Sequence, residues 1–159
     1  MHKYISKVLL SISFLMLSTV ANASLITNGS FEQLAFANGS ESIGTVFNTN
    51  LKDYANKNRA WEVFYQLPGW ETSFGNGIEL QKRVVTTSQH GLNHVELDSH
   101  PRGASNAVMS QTLDSLTIGA DYLLEFYYKP RTNRNNDNGI NVFWYDSASD
   151  FNNLMETSF

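Results

Sequence analysis

The chain has 159 residues, no cysteine and a formal charge of −4 at pH 7. Without Lys3 and Lys7, which lie in the N-terminal segment discussed below, 9 of the 11 basic residues remain against 15 acidic ones, a charge of −6. This acidic balance argues against nucleic acid or an anionic membrane as the partner, and the lack of cysteine excludes disulfides. Carboxylates on an exported protein suit calcium or hydroxyl-rich ligands better.

The first 23 residues predict export. Lys3 and Lys7 supply a positive start, residues 8–20 form an apolar run, and Ala21-Asn22-Ala23 matches a small-residue cleavage site. The run is short for a transmembrane helix; the alternative is a retained membrane anchor. We predict a signal peptide at 1–23, a secreted, periplasmic or cell-surface location, and a mature chain that begins at Ser24 with no membrane insertion after cleavage.

The mature sequence predicts one all-β domain over residues 24–159. Short β-prone segments alternate with turn signals such as Asn28-Gly29-Ser30 and Leu67-Pro68-Gly69-Trp70. This spacing is typical of an antiparallel β-sandwich or jelly roll. We expect strands at 24–27, at 61–65, after the turn at 67–70, at 78–81, within 91–102, and at 107–113, 121–129 and 140–145.

Two segments interrupt this pattern. Residues 38–59 are polar and rich in Asn, and we interpret them as a surface insertion in which Asn50 caps one helical turn through Asp53 and Tyr54. Residues 132–138 contain four asparagines and no apolar side chain, so they predict a surface hairpin loop.

The stretch 91–102, GLNHVELDSHPR, carries the strongest candidates for a polar surface. Side chains alternate along a strand, so Val95 and Leu97 face one way while Glu96 and Asp98 face the other. In the strand at 78–81, Ile78 and Leu80 alternate with Glu79 and Gln81, so the two aliphatic side chains are expected on the buried face and Glu79 is expected to point outward. The alternatives are solvated carboxylates on a half-buried strand, or a ligand-facing sheet surface.

The aromatic segments 121–129 and 140–145 also predict a face for each side chain. The more apolar set is expected to face the core, which leaves aromatic rings outward beside Glu125. Exposed aromatics on a sheet indicate a binding surface, unless another part of the molecule covers them. The expected core residues are Tyr122, Leu124, Phe126, Tyr128, Ile140, Val142 and Trp144, and the expected outward ones are Tyr127, Phe143 and Tyr145.

No pattern of catalytic residues stands out. The sequence has no G-x-S-x-G motif, and Asp98 and Ser99 would face opposite sides of a strand. Glu79 and Glu96 could act in glycoside hydrolysis if held about 5–10 Å apart, although nothing in the sequence predicts a cleft around them. The four histidines lack zinc-site spacing. We therefore predict a protein that is not an enzyme and has no catalytic residues.

Several motifs in order carry a resemblance to a known family. They are LITNGSFE at 25–32, WEVF at 61–64, LPGW at 67–70, GIEL at 77–80, VELDS at 95–99, SQTL at 110–113 and the segment 122–131. Together they resemble the galactose-binding-like jelly-roll domain of unknown function of plant cell-wall proteins, related to domains of bacterial exported proteins of the PEP-CTERM and RTX types. The resemblance implies a β-sandwich that binds carbohydrate or a cell-wall polymer without catalysis.

The resemblance also implies particular residues. Glu79, Glu96, Asp98 and Arg131 match recurrent polar positions of the family, where an alternative role is a charge network that orients one end of the sheet. The NGSFE start resembles modules in which the Glu holds a structural calcium, which implies Glu32 as a metal ligand. The family continues beyond Trp144-Tyr145 into an Asp-bearing strand, so residues 146–159 suggest an incomplete C-terminal end.

The sequence therefore predicts an exported module that binds a polysaccharide or glycan. The polar contacts are expected from Glu79, Glu96, Asp98 and Arg131, and the stacking platforms from Trp70, Tyr127 and Phe143. One alternative is a structural or adhesive extracellular matrix domain with protein partners. Another is a truncated remnant without function.

Overall fold

A computed structural model describes residues 24–99, 105–133 and 139–146, and nearly all regular structure in these ranges is β-strand. The all-β prediction is confirmed. The predicted signal peptide at 1–23, most of the loop 132–138 and the tail from 147 onward lie outside the described residues. The elements are α1 (Leu51–Ala55), β1 (Ala60–Phe64), β2 (Gln66–Leu67), β3 (Trp70–Phe74), β4 (Ile78–Lys82), β5 (Asn93–Glu96), β6 (Asp98–Ser99), β7 (Ser105–Asn106) and β8 (Val108–Ser110).

All strand pairs in the described ranges are antiparallel and form three small sheets. Their orders are β1-β4-β5, β2-β3-β8 and β6-β7. The chain divides into two compact units, Met1–Ile118 and Gly119–Phe159, and all strands of the described residues belong to the first. No helix in the described part of the chain has the length and apolar character needed to cross a bilayer.

The hydrophobic core lies on one face of β1-β4-β5. Phe64 pairs with Ile78 across the β1–β4 ladder, and Leu80 shares their face because it is two residues further along β4. Tyr54 of α1 meets Phe64 edge to face at 5.9 Å between ring centroids. Side chains from β2-β3-β8 reach the same cluster, namely Leu67, Trp70 and Met109.

Helix α1 lies where the sequence predicts a helical turn inside the polar insertion. The Asn50 side chain accepts a hydrogen bond of 2.7 Å from the Asp53 backbone N–H, which satisfies a donor that the first helical turn leaves free. Leu51 and Tyr54 then bury the apolar side of this short helix. The segment is therefore more than a surface insertion, because it closes one side of the core.

Strand β4 is buried on both faces, so the prediction of one solvent-facing side is wrong. Glu79 is 3% exposed and Gln81 is 2% exposed. The Gln81 Nε2 amide donates to Glu79 Oε1 at 2.8 Å and to the carboxylate of Glu96 on β5. Alternation in the sequence shows which residues share a face. It does not show that polar side chains on that face are buried and hydrogen-bonded to each other.

A second buried carboxylate, that of Glu62 on β1, holds the loop before α1. Its two oxygens accept backbone N–H bonds of 2.9–3.2 Å from Val46, Phe47, Thr49 and Val63. Glu62 is fully buried, and burial of a carboxylate is tolerated because donors surround it. A Cβ at Gly44 would lie 2.0 Å from the Glu62 side chain, so only glycine fits there.

The Lys82 side chain caps the C-terminal end of α1. Its Nζ donates to the carbonyl oxygens of Ala55 at 3.0 Å and Lys57 at 3.2 Å, and lies 5.1 Å from the centre of the Tyr54 ring. Burial lowers the pKa of Lys82, and the Glu32 carboxylate opposes that shift. Burial also raises the pKa of the Tyr54 hydroxyl, with a further rise from Glu32.

The N-terminal turn is tied to the turn between β2 and β3. Asn28 has a φ of 52°, and its side chain bonds to the backbone of Gln33 through both amide atoms and donates to the Pro68 carbonyl at 2.9 Å. The Asn28 carbonyl accepts from Trp70 Nε1 at 3.2 Å. The side chain of Gln111 pairs with both backbone polar groups of Thr27 and donates to the Gly69 carbonyl.

The predicted strand 24–27 is consequently wrong, because its residues form bends and turns. The amide group of Gln111 takes the place that a neighbouring strand would occupy beside Thr27. Three motifs from distant parts of the sequence, NGSFE, LPGW and SQTL, are brought to one place by these bonds.

The unit Gly119–Phe159 contains no strand in its described residues, so the predicted strands at 121–129 and 140–145 are wrong. Aromatic and β-branched patterns report side-chain preference, whereas a strand also needs a second backbone to bond with. Of the seven side chains assigned to the core, Ile140 is half-buried and the other six are exposed. Their exposed fractions are 44% for Tyr122, 45% for Leu124, 54% for Phe126, 45% for Tyr128, 55% for Val142 and 62% for Trp144.

Replacing Glu62 with Gln should lower the free energy of unfolding by about 2–3 kcal/mol, because an NH2 group would face backbone donors that now meet an anionic oxygen. Urea unfolding measures the change. Glu41→Gln is the control, since Glu41 is exposed in the segment before α1. Equal stability of the two variants would contradict the anchoring role of Glu62.

Replacing Asn28 with Gly and with Ala separates two contributions to the N-terminal turn. Asn28→Gly removes the side-chain hydrogen bonds but accepts the positive φ, so it should lower the free energy of unfolding by about 2 kcal/mol. Asn28→Ala adds backbone strain and should cost about 3 kcal/mol. Thermal unfolding followed by Trp fluorescence measures both. A loss below about 0.5 kcal/mol in either variant would show that these bonds do not hold the turn.

Candidate functional site

Two of the predicted polar contacts, Glu79 and Glu96, lie together but not on an open surface. They are directly opposite each other across β4 and β5, and Gln81 bonds to both. Glu79 is buried, so its predicted outward position is wrong; Glu96 is half-buried. Asp98 is exposed and belongs to a different pair of strands, opposite Asn106.

Glu32, the predicted calcium ligand, binds the backbone of another segment. Its Oε1 accepts N–H bonds of 2.7 Å from both Leu92 and Asn93. Within residues 24–99, 105–133 and 139–146, no three His, Asp or Glu side chains converge as a metal site. The side chain therefore has a structural partner, and calcium at Glu32 stays a prediction.

The other predicted contacts divide between the two units. Arg131, Tyr127 and Phe143 belong to Gly119–Phe159, where Arg131 is exposed, Tyr127 is 71% exposed and Phe143 is half-buried. Trp70 belongs to the first unit, is half-buried, and lines a cleft on the sheet β2-β3-β8.

Two shallow clefts lie on this sheet, with volumes of about 250 and 280 Å³. Both are lined by Gln66 and Glu71, so they adjoin each other along the surface. Each also has aromatic walls. The first is lined by the exposed rings of Tyr65 and Phe74, and the second by Phe36 and Trp70, which are half-buried and pack against the core.

A polar row crosses the sheet where the clefts meet. Glu71 in the central strand β3 is directly opposite Gln66 on β2 and Ser110 on β8. Cross-strand partners share a face, so the three side chains form a continuous row of carboxylate, amide and hydroxyl. The Ser110 hydroxyl lies 2.5 Å from that of Ser73, which also lines the first cleft. We call Gln66, Glu71 and Ser110 the polar row.

Two of the three side chains in the polar row, those of Glu71 and Gln66, have hydrogen-bonding groups that are open to a ligand. The carboxylate of Glu71 and the side-chain amide of Gln66 form no hydrogen bond or ion pair with any described residue, and both side chains are exposed. The buried amide of Gln81, in contrast, bonds to two carboxylates. Exposed groups with free donors and acceptors beside aromatic walls can bind a polar ligand that also has apolar faces.

Sequence reasoning missed Tyr65, Gln66, Glu71 and Phe74, although the turn motif contains the signal. A two-residue turn at Pro68-Gly69 pairs Leu67 with Trp70, and this register puts Gln66 opposite Glu71. Gly69 has a φ of 81°, the conformation that Gly after Pro provides in a tight turn. Counting outward from LPGW would therefore have placed Glu71 and Gln66 on one face.

Known proteins provide no further guide to this site. Comparisons of the chain with protein-family models, with curated proteins and with solved structures find no match. The resemblance to galactose-binding-like domains therefore stays a prediction from the motifs.

Proposed function

We propose that this chain is an exported, non-catalytic carbohydrate-binding module of the galactose-binding-like jelly-roll type, a β-sandwich, and that the two clefts on β2-β3-β8 are its binding site. The observation that carries the proposal is the polar row beside the exposed aromatic rings of Tyr65 and Phe74. The predicted signal peptide at 1–23 supports export to the periplasm, the cell surface or the medium.

The chemistry of the clefts suits a sugar chain. A pyranose ring offers hydroxyls around its edge and C–H groups on its faces, so it needs hydrogen-bonding groups next to aromatic surface. Glu71, Gln66 and Ser110 supply the hydrogen-bonding groups, and the exposed rings of Tyr65 and Phe74 supply the aromatic surface. Because both clefts are open and adjoin, the surface suits a polymer that runs across it.

The arrangement of carboxylates supports binding without hydrolysis. A glycosidase needs two carboxyl groups on opposite sides of the scissile bond, whereas Glu71 is the one acidic residue among the described residues that line the clefts. The cross-strand carboxylates of Glu79 and Glu96 are bridged by Gln81, and Glu79 is buried.

Tyr65→Ala should weaken retention of the protein by its polysaccharide about tenfold, because it removes one aromatic wall and the apolar area that this wall buries. Pull-down on insoluble cellulose, β-1,3-glucan, chitin and chitosan measures retention. Tyr127→Ala is the matched variant, since Tyr127 is an exposed tyrosine that lines neither cleft.

Three results would count against this site. Loss of retention in Tyr127→Ala alone would move the site to the unit Gly119–Phe159. If the double variant Glu96→Ala, Asp98→Ala loses retention while Tyr65→Ala keeps it, the binding site would move to the strands β5 and β6. Failure of the unmodified protein to bind any of the four polysaccharides would contradict carbohydrate binding.

A second candidate function, adhesion to protein, is favoured by the exposed apolar side chains of residues 122–128. Leu123 is 83% exposed and Tyr127 is 71% exposed, and apolar surface of this kind is typical of protein–protein contacts. Adhesion predicts that Leu123→Ser reduces binding to purified cell-surface protein while Tyr65→Ala leaves it intact. The reverse pattern would assign binding to the clefts.

A further inference from the structure

We propose that the ligand of the clefts is an amino-sugar polymer with free, protonated amines, and that Glu71 is the residue that selects it. This inference rests on the proposed carbohydrate-binding function and names the class of sugar. It predicts a preference for non-acetylated glucosamine chains over acetylated, neutral and uronic acid chains.

The charges around the clefts point to a cation. Among the described residues that line them, Glu71 is acidic and none is Lys, Arg or His. The chain as a whole carries a formal charge of −4. A uronic acid chain would bring its carboxylates to a surface with no described positive group to meet them, whereas an amine would meet the carboxylate of Glu71.

The position of Glu71 suits selection at the middle of a chain. It lies in the central strand of its sheet and lines both clefts, with Gln66 on one side and Ser110 on the other. An amine at Glu71 would therefore have its sugar's hydroxyls beside Gln66 and Ser110, while a neighbouring sugar reaches the exposed rings of Tyr65 and Phe74 in the first cleft.

The carboxylate is also available. Glu71 is exposed and forms no hydrogen bond or ion pair with any described residue, so an incoming amine does not have to displace a partner. A carboxylate held by its neighbours, as that of Glu62 is, could not act in this way. An exposed charge pair and its charge-assisted hydrogen bond correspond to a preference of about fivefold.

The test uses the whole mature protein and four hexasaccharides: glucosamine, N-acetylglucosamine, glucose and galacturonic acid. Isothermal titration calorimetry at about pH 5.5 and low salt measures each affinity, because amines carry their proton at this pH. The glucosamine hexamer should bind about fivefold more tightly than its acetylated counterpart, and the ratio should fall toward one at about 0.5 M salt.

Glu71→Gln should bring the ratio between the glucosamine and acetylated hexamers to about one. Glu41→Gln is the control, because it removes the same charge from an exposed residue that lines neither cleft. A thermal unfolding midpoint that matches the unmodified protein confirms that Glu71→Gln is folded.

The outcomes separate this inference from the function beneath it. If all hexamers bind with similar affinity and Tyr65→Ala weakens them together, carbohydrate binding stands and the selection of amines is wrong. A preference for the galacturonic acid hexamer, or a preference for amines that persists in Glu71→Gln, would also overturn the role of Glu71. If no hexamer binds and no polysaccharide retains the protein, both proposals fail.

Discussion

The register set by the Pro68-Gly69 turn is the constraint on which the candidate site depends. A shift by one residue would move Gln66 and Glu71 to opposite faces of the sheet, since strand side chains alternate. The turn itself is held from outside by Asn28, which bonds to the Pro68 carbonyl, and by Gln111, which bonds to that of Gly69. The N-terminal turn and the segment after β8 therefore fix the geometry of the clefts. Asn28 does so from outside, because its own side chain does not line either cleft.

Hydrogen bonds of buried polar groups join the segments of the first unit around its apolar core. Glu62 collects four backbone donors, Lys82 bonds to carbonyl groups at the end of α1, and Gln81 separates two carboxylates that face each other across β4 and β5. Each group is tolerated away from water because partners replace its hydration. This explains how a chain without disulfides holds long irregular segments against small sheets.

The sequence was most informative where a local rule decides the structure. Turn residues and the helix cap at Asn50 predicted their own conformations, and apolar alternation predicted that Ile78 and Leu80 face the core. It failed where structure depends on distant partners. The alternation around Glu79 is that of a strand with one open face, yet this carboxylate is buried. The aromatic alternation of 121–129 is that of a paired strand, yet no strand forms there. In both cases the pattern does not show which other segment lies opposite. The site was missed because Glu71 looks like any exposed carboxylate until the turn pairs it with Gln66.

The Glu62 carboxylate has a consequence for how the protein can diversify. It holds the loop 46–49 through backbone N–H groups, which every residue except proline possesses. The path of this loop therefore depends on few of its own side chains, provided that Gly44 is kept and that position 48, where Asn48 has a φ of 52°, keeps a residue that accepts a positive φ. Substitutions at positions 46, 47 and 49 should therefore leave the backbone path of the loop unchanged, provided that none of them introduces proline.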